Sequence, residues 1–225
     1  MVKRHMLRIA MPNSWQLSRK TFVFVSRPTP GAHSLESGMP LGVILRDILK
    51  LANSSREVKY LLNSKEVLVD GKRRKEHNFS VGVMDVLNIP VLDKAYRILL
   101  NENRKLCVVE TKNKNHKICK IINKSILKKG KQSISTDDGS NFITSGDYKV
   151  GDSVVIEFGK GIKKRHEMTE GVKVMLTAGK HAGITGSLVK IIPSKVEEDK
   201  VLVKAKDEEF KTLKKYVFVI GDFEL

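Results

Sequence analysis

Residues 170–192 read EGVKVMLTAGKHAGITGSLVKII. An apolar run, Val172, Val174, Met175 and Leu176, precedes Gly179, Gly183 and Gly186, and a second run, Leu188, Val189, Ile191 and Ile192, lies beyond them. Two short strands joined by a glycine-rich turn is the plain reading. A glycine-rich loop carrying Lys180 and His181 could instead cradle a phosphate, but such a loop needs a helix N-terminus behind it. The next residues, SLVKII running into Pro193, have an apolar strand pattern instead. The glycines are therefore expected to supply positive φ angles and close strand approach. With Val201-LVKA and Tyr216-VFVIG, residues 170–225 are expected to close into a small barrel.

Upstream, residues 91–165 also read as β. The short apolar runs Tyr96-RILL, Leu106-CVV, Ile118-CKII and Val154-VIEF alternate with polar turns. Between residues 101 and 135 there are ten Lys or Arg against two Glu, interleaved with Ile and Val. That mixture suits a β-barrel-like domain with a basic surface rather than a linker. Residues 159–169, GKGIKKRHEMT, read as a basic connector.

Residues 40–90 combine helix and strand signals. PLGVILRDILKLA, residues 40–52, places Leu41, Ile44, Leu45, Ile48 and Leu51 at helical spacing, with Pro40 at the start and Arg46 and Lys50 on the opposite face. Ser54-Ser-Arg-Glu57 fits a capping box opening a second helix, with Val58, Leu61 and Leu62 inward and Arg56 and Lys59 outward. Beyond Lys65, a β-branched run ends at Asp70-Gly71, a hairpin signal. Lys72, Arg73, Arg74 and Lys75 come directly after that turn. Val86-Leu-Asn-Ile89, closed by Pro90, completes this unit. Residues 1–39 show little periodicity. With Lys3, Arg4, Arg8, Arg19 and Lys20 they read as an extended basic arm, which Trp15 either pins to a core or uses for base stacking.

Lys plus Arg number 42 against 25 Asp plus Glu, a formal net charge of +17. At 40% hydrophobic residues the chain can still bury cores. So large an excess calls for a polyanion, nucleic acid first and an anionic membrane second. No apolar run approaches the ~20 residues that span a bilayer, and the N-terminus, broken at Arg8 and Pro12, is no signal peptide. Cys107 and Cys119 are too few for a disulfide framework and read as reduced thiols. His116-x-x-Cys119 with Cys107 offers three metal ligands where a structural zinc site uses four, so no metal is expected. Phosphate-loop, nucleophile-elbow and His-Glu-x-x-His motifs are all missing. Asp85 and Asp152, at strand entrances, are expected to bond backbone. Neither catalysis nor a small cofactor is expected.

Three blocks resemble a known family. Lys3-RHMLRIAMPNSWQL with Ser26-RPTPGAHSL is similar to the opening of the archaeal and eukaryotic e-type of small-subunit ribosomal protein four. MPLGVILRDILKLA, EVLVDGKRR and VGVMDVLNIP resemble its RNA-binding module, shared with the bacterial protein of the same number, pseudouridine synthases and tyrosyl-tRNA synthetases. The stretch 170–192 resembles a KOW motif, and Phe218-VIG the family's closing strand. Eukaryotic members run on in a basic tail where this sequence stops at Asp222-Phe-Glu-Leu, as in a shorter archaeal-type member.

The resemblance implies an α+β, multi-module fold: a basic arm (1–39), an S4-type two-helix RNA-binding module (40–90), a central β domain (91–165) and an SH3-like KOW barrel (170–225). It implies a structural, non-catalytic constituent of the small ribosomal subunit in the cytoplasm, in contact with rRNA and neighbouring ribosomal proteins and monomeric outside the ribosome. A free translation or transcription factor, or the targeting part of an RNA-modifying enzyme, would be the alternatives. RNA contact is expected from the cations of the arm, from Arg46, Lys50, Arg56, Lys59 and Lys65, from Lys72, Arg73 and Arg74, and from Lys180 and His181.

Overall fold

The computed structural model describes residues 5–194, 197–205 and 208–223, without the side chain of Lys129. The chain is α+β, dominated by antiparallel sheet, and divides into two compact units. One runs up to Leu100 and adds Arg104–Lys117; the other is Asn101–Asn103 with the chain from Ile118 onward. No helix among the described residues is long and apolar enough to cross a membrane.

In the first unit, His5–Leu7 pairs with Phe24–Ser26. Alternation along this ribbon turns Val25 and Met6 inward and His5, Leu7 and Phe24 outward. The segment expected as an extended arm is thus held down. Trp15 is 2% exposed, its indole Nε1 donates to the Gly38 carbonyl at 3.0 Å, and its neighbour Ser14 accepts the Leu106 amide. Burial settles Trp15 as an anchor and rules out base stacking by it.

The helix expected over 40–52 is shorter and partly of another kind. Leu41–Val43 is α-helical, and Ile44–Ile48 is a π-turn in which the Leu49 amide reaches the Ile44 carbonyl. Val43, Ile44 and Leu45 are all buried at this junction. The second helix, Ser55–Ser64, forms as its cap signature predicts. Ser54 Oγ accepts the Glu57 amide, and the Glu57 carboxylate returns to the Asn53 amide at 2.7 Å. Val58 and Leu62 form its buried stripe.

The Asp70-Gly71 turn forms with both residues at positive φ, 52° and 73°. It joins Leu68–Val69 to Lys72–Arg73 at the edge of a five-stranded sheet. That sheet continues inward through Val86–Ile89 and Lys94–Leu100 to Leu106–Glu110. One core, including Leu41, Ile44, Leu62, Leu87 and Ile98, unites the helices, the sheet and the N-terminal segment.

The second unit holds two five-stranded antiparallel sheets. In the first, the strand order is Asn141–Thr144, Gln132–Thr136, His116–Ile126, Ser153–Glu157, Gly161–His166. Cys119, Ile121, Ile134, Val154 and Ile156 fill its core. In the second, the order is Glu208–Leu213, Lys200–Ala205, Thr185–Ile192, Lys173–Leu176, Val217–Val219. Here the stretch 170–192 forms the expected pair, Lys173 opposite Ser187 and Met175 opposite Thr185. Gly179 and Gly183 take φ of 87° and 88°. Gly186 serves the other purpose: a Cβ there would come within 2.5 Å of the Lys204 carbonyl oxygen of the paired strand.

Candidate nucleic-acid interface

The helix Ser55–Ser64 organises the best-defined group of cations. Arg56, Lys59 and Asn63 succeed each other at spacings of three and four, so they lie along one exposed stripe away from Val58 and Leu62. At the far end, Arg73 Nη2 donates to the Asn63 carbonyl at 3.0 Å. This brings the hairpin's guanidinium to the helix C-terminus, where the dipole favours a cation. Lys65 caps that end and is exposed, as is Lys72 beside Arg73. At the near end, Arg46 Nη1 donates to Ser55 Oγ at 2.9 Å, and its Nη2 pairs with Asp47 at 2.8 Å. Arg46 therefore flanks the stripe with its charge partly neutralised.

Other expected residues lie elsewhere. Lys50 sits past the π-turn in the left-handed region, φ 53°, so it does not share a helical face with Arg46. Arg74 folds back over the Phe79 ring, 4.2 Å from its centroid. Arg8 is 3% exposed, its Nε donating to the Ser18 carbonyl; it is an internal strut of the N-terminal segment and not a surface contact. Arg19 binds the Ile9 carbonyl and Asn13, while Lys20 is exposed. Lys3 and Arg4 lie outside the described residues. In the second unit Lys180 is exposed at the glycine turn, and His181 stacks on Phe210 with centroids 4.1 Å apart.

Two lysines that turn inward, Lys117 buried and Lys120 half-buried, carry no mark in the sequence. Lys117, within the segment expected to present a basic surface, is 2% exposed and donates to Asp85 at 2.5 Å and Asp70 at 2.7 Å. Asp85 also meets His33 Nε2 at 2.9 Å and accepts the Gly82 amide, the backbone role expected of it. Burial alone would raise the Asp85 carboxyl, but Lys117 and His33 outweigh that and hold it below the usual carboxylate range. Asp70 is pushed up to about 6, by burial first and then by the charge of Asp85. In the second unit, Lys120 Nζ donates to the carbonyls of Lys215 and Val217 at 2.8 and 2.7 Å, and burial pushes it down to about 8. No local pattern marks either lysine, because their partners lie tens of residues away.

The cysteines do not assemble with His116. Cys107 is half-buried, with Sγ 3.5 Å from the Leu99 carbonyl, and Cys119 is a core thiol. The ligand-type group around Cys119 is Asp137 and Asp138. Those carboxylates accept from the Lys120 amide and from Thr136 and Ser140, as turn carboxylates do.

A basic α+β chain that presents exposed cations on a capped helix and its neighbouring hairpin is of the polyanion-binding class. Comparison with known proteins narrows this. Residues 92–161 match the model of the ribosomal S4e family, and residues 2–36 match the RS4NT domain. The small ribosomal subunit protein eS4 of Methanocella arvoryzae is 40% identical over 224 residues, 98% of this chain and 95% of that one. Its counterpart in Methanocaldococcus jannaschii is 39% identical over 99% of this chain and 96% of that one. The crystal structure of 30S ribosomal protein S4e from Thermoplasma acidophilum matches with a TM-score of 0.71 at 33% identity, covering 83% of this chain and 96% of that one. The chain belongs to the S4e family of ribosomal proteins.

Proposed function

We infer that this protein is a structural constituent of the small ribosomal subunit, binding and ordering rRNA. The observation that carries the inference is family membership along 98% of the chain, with relatives named as small-subunit proteins. The cation stripe on Ser55–Ser64 and the adjoining hairpin supply the physical means. Residues 40–90 act as the S4-type RNA-binding module, to whose sheet Lys94–Leu100 and Leu106–Glu110 of the expected central β domain (91–165) add two strands; residues 170–225 act as an SH3-like KOW barrel, and residues 1–39 as a basic N-terminal segment. Arg56, Lys59, Lys65, Lys72 and Arg73 form the principal rRNA contact, with Arg46 at its margin. Lys20, Lys50 and Lys180 make peripheral phosphate contacts. Lys3 and Arg4, ahead of the ribbon, extend the basic segment. The protein works without catalysis, as a monomer before assembly, in the cytoplasm, and in the subunit it touches neighbouring ribosomal proteins.

Sedimentation of a cell extract at moderate salt tests this. The protein should travel with the small subunit, and rRNA footprinting should show discrete protected helices. A protein found mostly free of the subunit would overturn the structural reading in favour of a free factor.

A further inference from the structure

The outer face of the N-terminal ribbon is apolar and open. Phe22 is 67% exposed and Phe24 55%, beside Leu7 opposite Phe24 in the register. The inner face, by contrast, is closed by Val25 and Met6 on the core. Each ring is held from within the segment. The Arg8 guanidinium lies over Phe22, 5.5 Å from its centroid, and His5 meets Phe24 edge-on at 5.2 Å. Arg8 is itself fixed by its bond to Ser18, so the ring above it is backed by a rigid cation.

The electrostatic frame is of one sign. Residues 1–35 contain six Lys or Arg and no Asp or Glu; the first carboxylate is Glu36. Arg19, Lys20 and Arg27 belong to this segment, and Lys20 and Arg27 are open to solvent. A partner that covers this face must bring flat apolar surface and negative charge together. Unpaired nucleotides do so, with a π-face on each base and a phosphate on each linkage. A protein patch would need clustered carboxylates around an apolar centre, whereas interface cores are depleted in charge.

We propose that Phe22 and Phe24 form a base-stacking platform for unpaired nucleotides of RNA, with the exposed cations of the same segment, Lys20 and Arg27, holding phosphates. This rests on the rRNA-binding reading and deepens it, adding direct base contact to the backbone contacts of the helix and hairpin. Base preference is weak on such a platform, because every base presents a face.

The test uses the full chain and two probes: a single-stranded oligoadenylate of about 12 nucleotides, within the span such platforms bind, and an abasic ribose-phosphate oligomer of equal length. The wild type should prefer the oligoadenylate. Phe22→Ala with Phe24→Ala should lose roughly ten- to a hundredfold in affinity for it, with unchanged affinity for the abasic oligomer and an unchanged melting temperature. Phe→Trp at both positions should retain binding, and Phe→Leu should behave as Phe→Ala. Leucines that bind as well as the phenylalanines, or alanines that change nothing, would overturn the platform. Unchanged RNA affinity with loss of uptake into reconstituted subunits would overturn it too, assigning the face to a protein neighbour. If the wild type fails to bind isolated small-subunit rRNA, the rRNA reading itself fails. If it binds rRNA but does not distinguish oligoadenylate from the abasic oligomer, the stacking proposal alone fails.

Discussion

Lys117 stands between Asp85 and Asp70, and a single ammonium cannot fully compensate two carboxylates. The better-surrounded Asp85, with His33 and the Gly82 amide, stays ionised, while Asp70 takes the higher value of about 6. Replacing Lys117 with Met leaves Asp85 buried without its main partner. The expected loss is about 3–5 kcal/mol of folding stability, read from urea unfolding at pH 7. Asp70 gives a pH signature. Its folded value lies above its ordinary 3.8, so the folded state holds an extra proton between about pH 4 and 6. That contribution is present at low pH and lost as pH rises through about 6. The wild type should therefore lose stability relative to Asp70→Asn over this window, as urea midpoints would register. A constant difference from pH 4 to 7 would show that Asp70 keeps an ordinary value. The sequence marks Asp70 for a turn and Asp85 for a backbone bond, but no pattern in it pairs them with Lys117, whereas the capping role of Ser54 is local and legible directly.

Helix Ser55–Ser64 and the hairpin Leu68–Arg73 form where their signatures lie, because a capping box and an Asp-Gly turn act within four residues. The preceding segment buries Ile44 and Leu45 as its periodicity predicts, but it winds as a π-turn from Ile44 and ends at Ile48, before Lys50 and Leu51. This changes which cations share a surface: Arg56 and Lys59 lie on one stripe with Arg73 at its far end, and Lys50 does not join Arg46. Changing Arg56, Lys59 and Arg73 to Gln should lower the slope of log affinity for small-subunit rRNA against log salt by about 2–3. Thermal stability should change little, since Arg56 and Lys59 make no core contact and Arg73 contributes one exposed bond. Filter binding across a salt series would measure this. An unchanged slope in a folded triple variant would move the main contact away from this helix.

At the scale of the whole molecule, +17 charges on 225 residues set the dominant long-range interaction. Each phosphate neutralised contributes about 0.7–0.9 to the salt slope. With six or more contacts, rRNA affinity should fall on the order of a thousandfold between about 50 and 200 mM salt. A flat response would mean that phosphate contact does not dominate. Some cations are structural and should not contribute: Arg97, fully buried with Nη2 on the His116 carbonyl, along with Arg8, Lys117 and Lys120. Net charge thus overstates the contacts available to RNA.

Local signals along the chain suffice for the α+β class, the cap of the second helix, the Asp-Gly hairpin and the glycine-linked strand pair at 170–192. The sequence also points to a polyanion, through composition, and to the family, through ordered blocks along most of the chain. All of these are local or additive properties, so a linear reading reaches them. Long-range packing sets which cations face outward, turns Arg8 and Lys117 to the interior, and leaves Phe22 and Phe24 exposed while Trp15 is buried. Those outcomes depend on partners far apart in sequence, such as Lys117 with Asp70 or Trp15 with Gly38. Burial is a property of the assembled core, and the same residue types read alike until the core is formed.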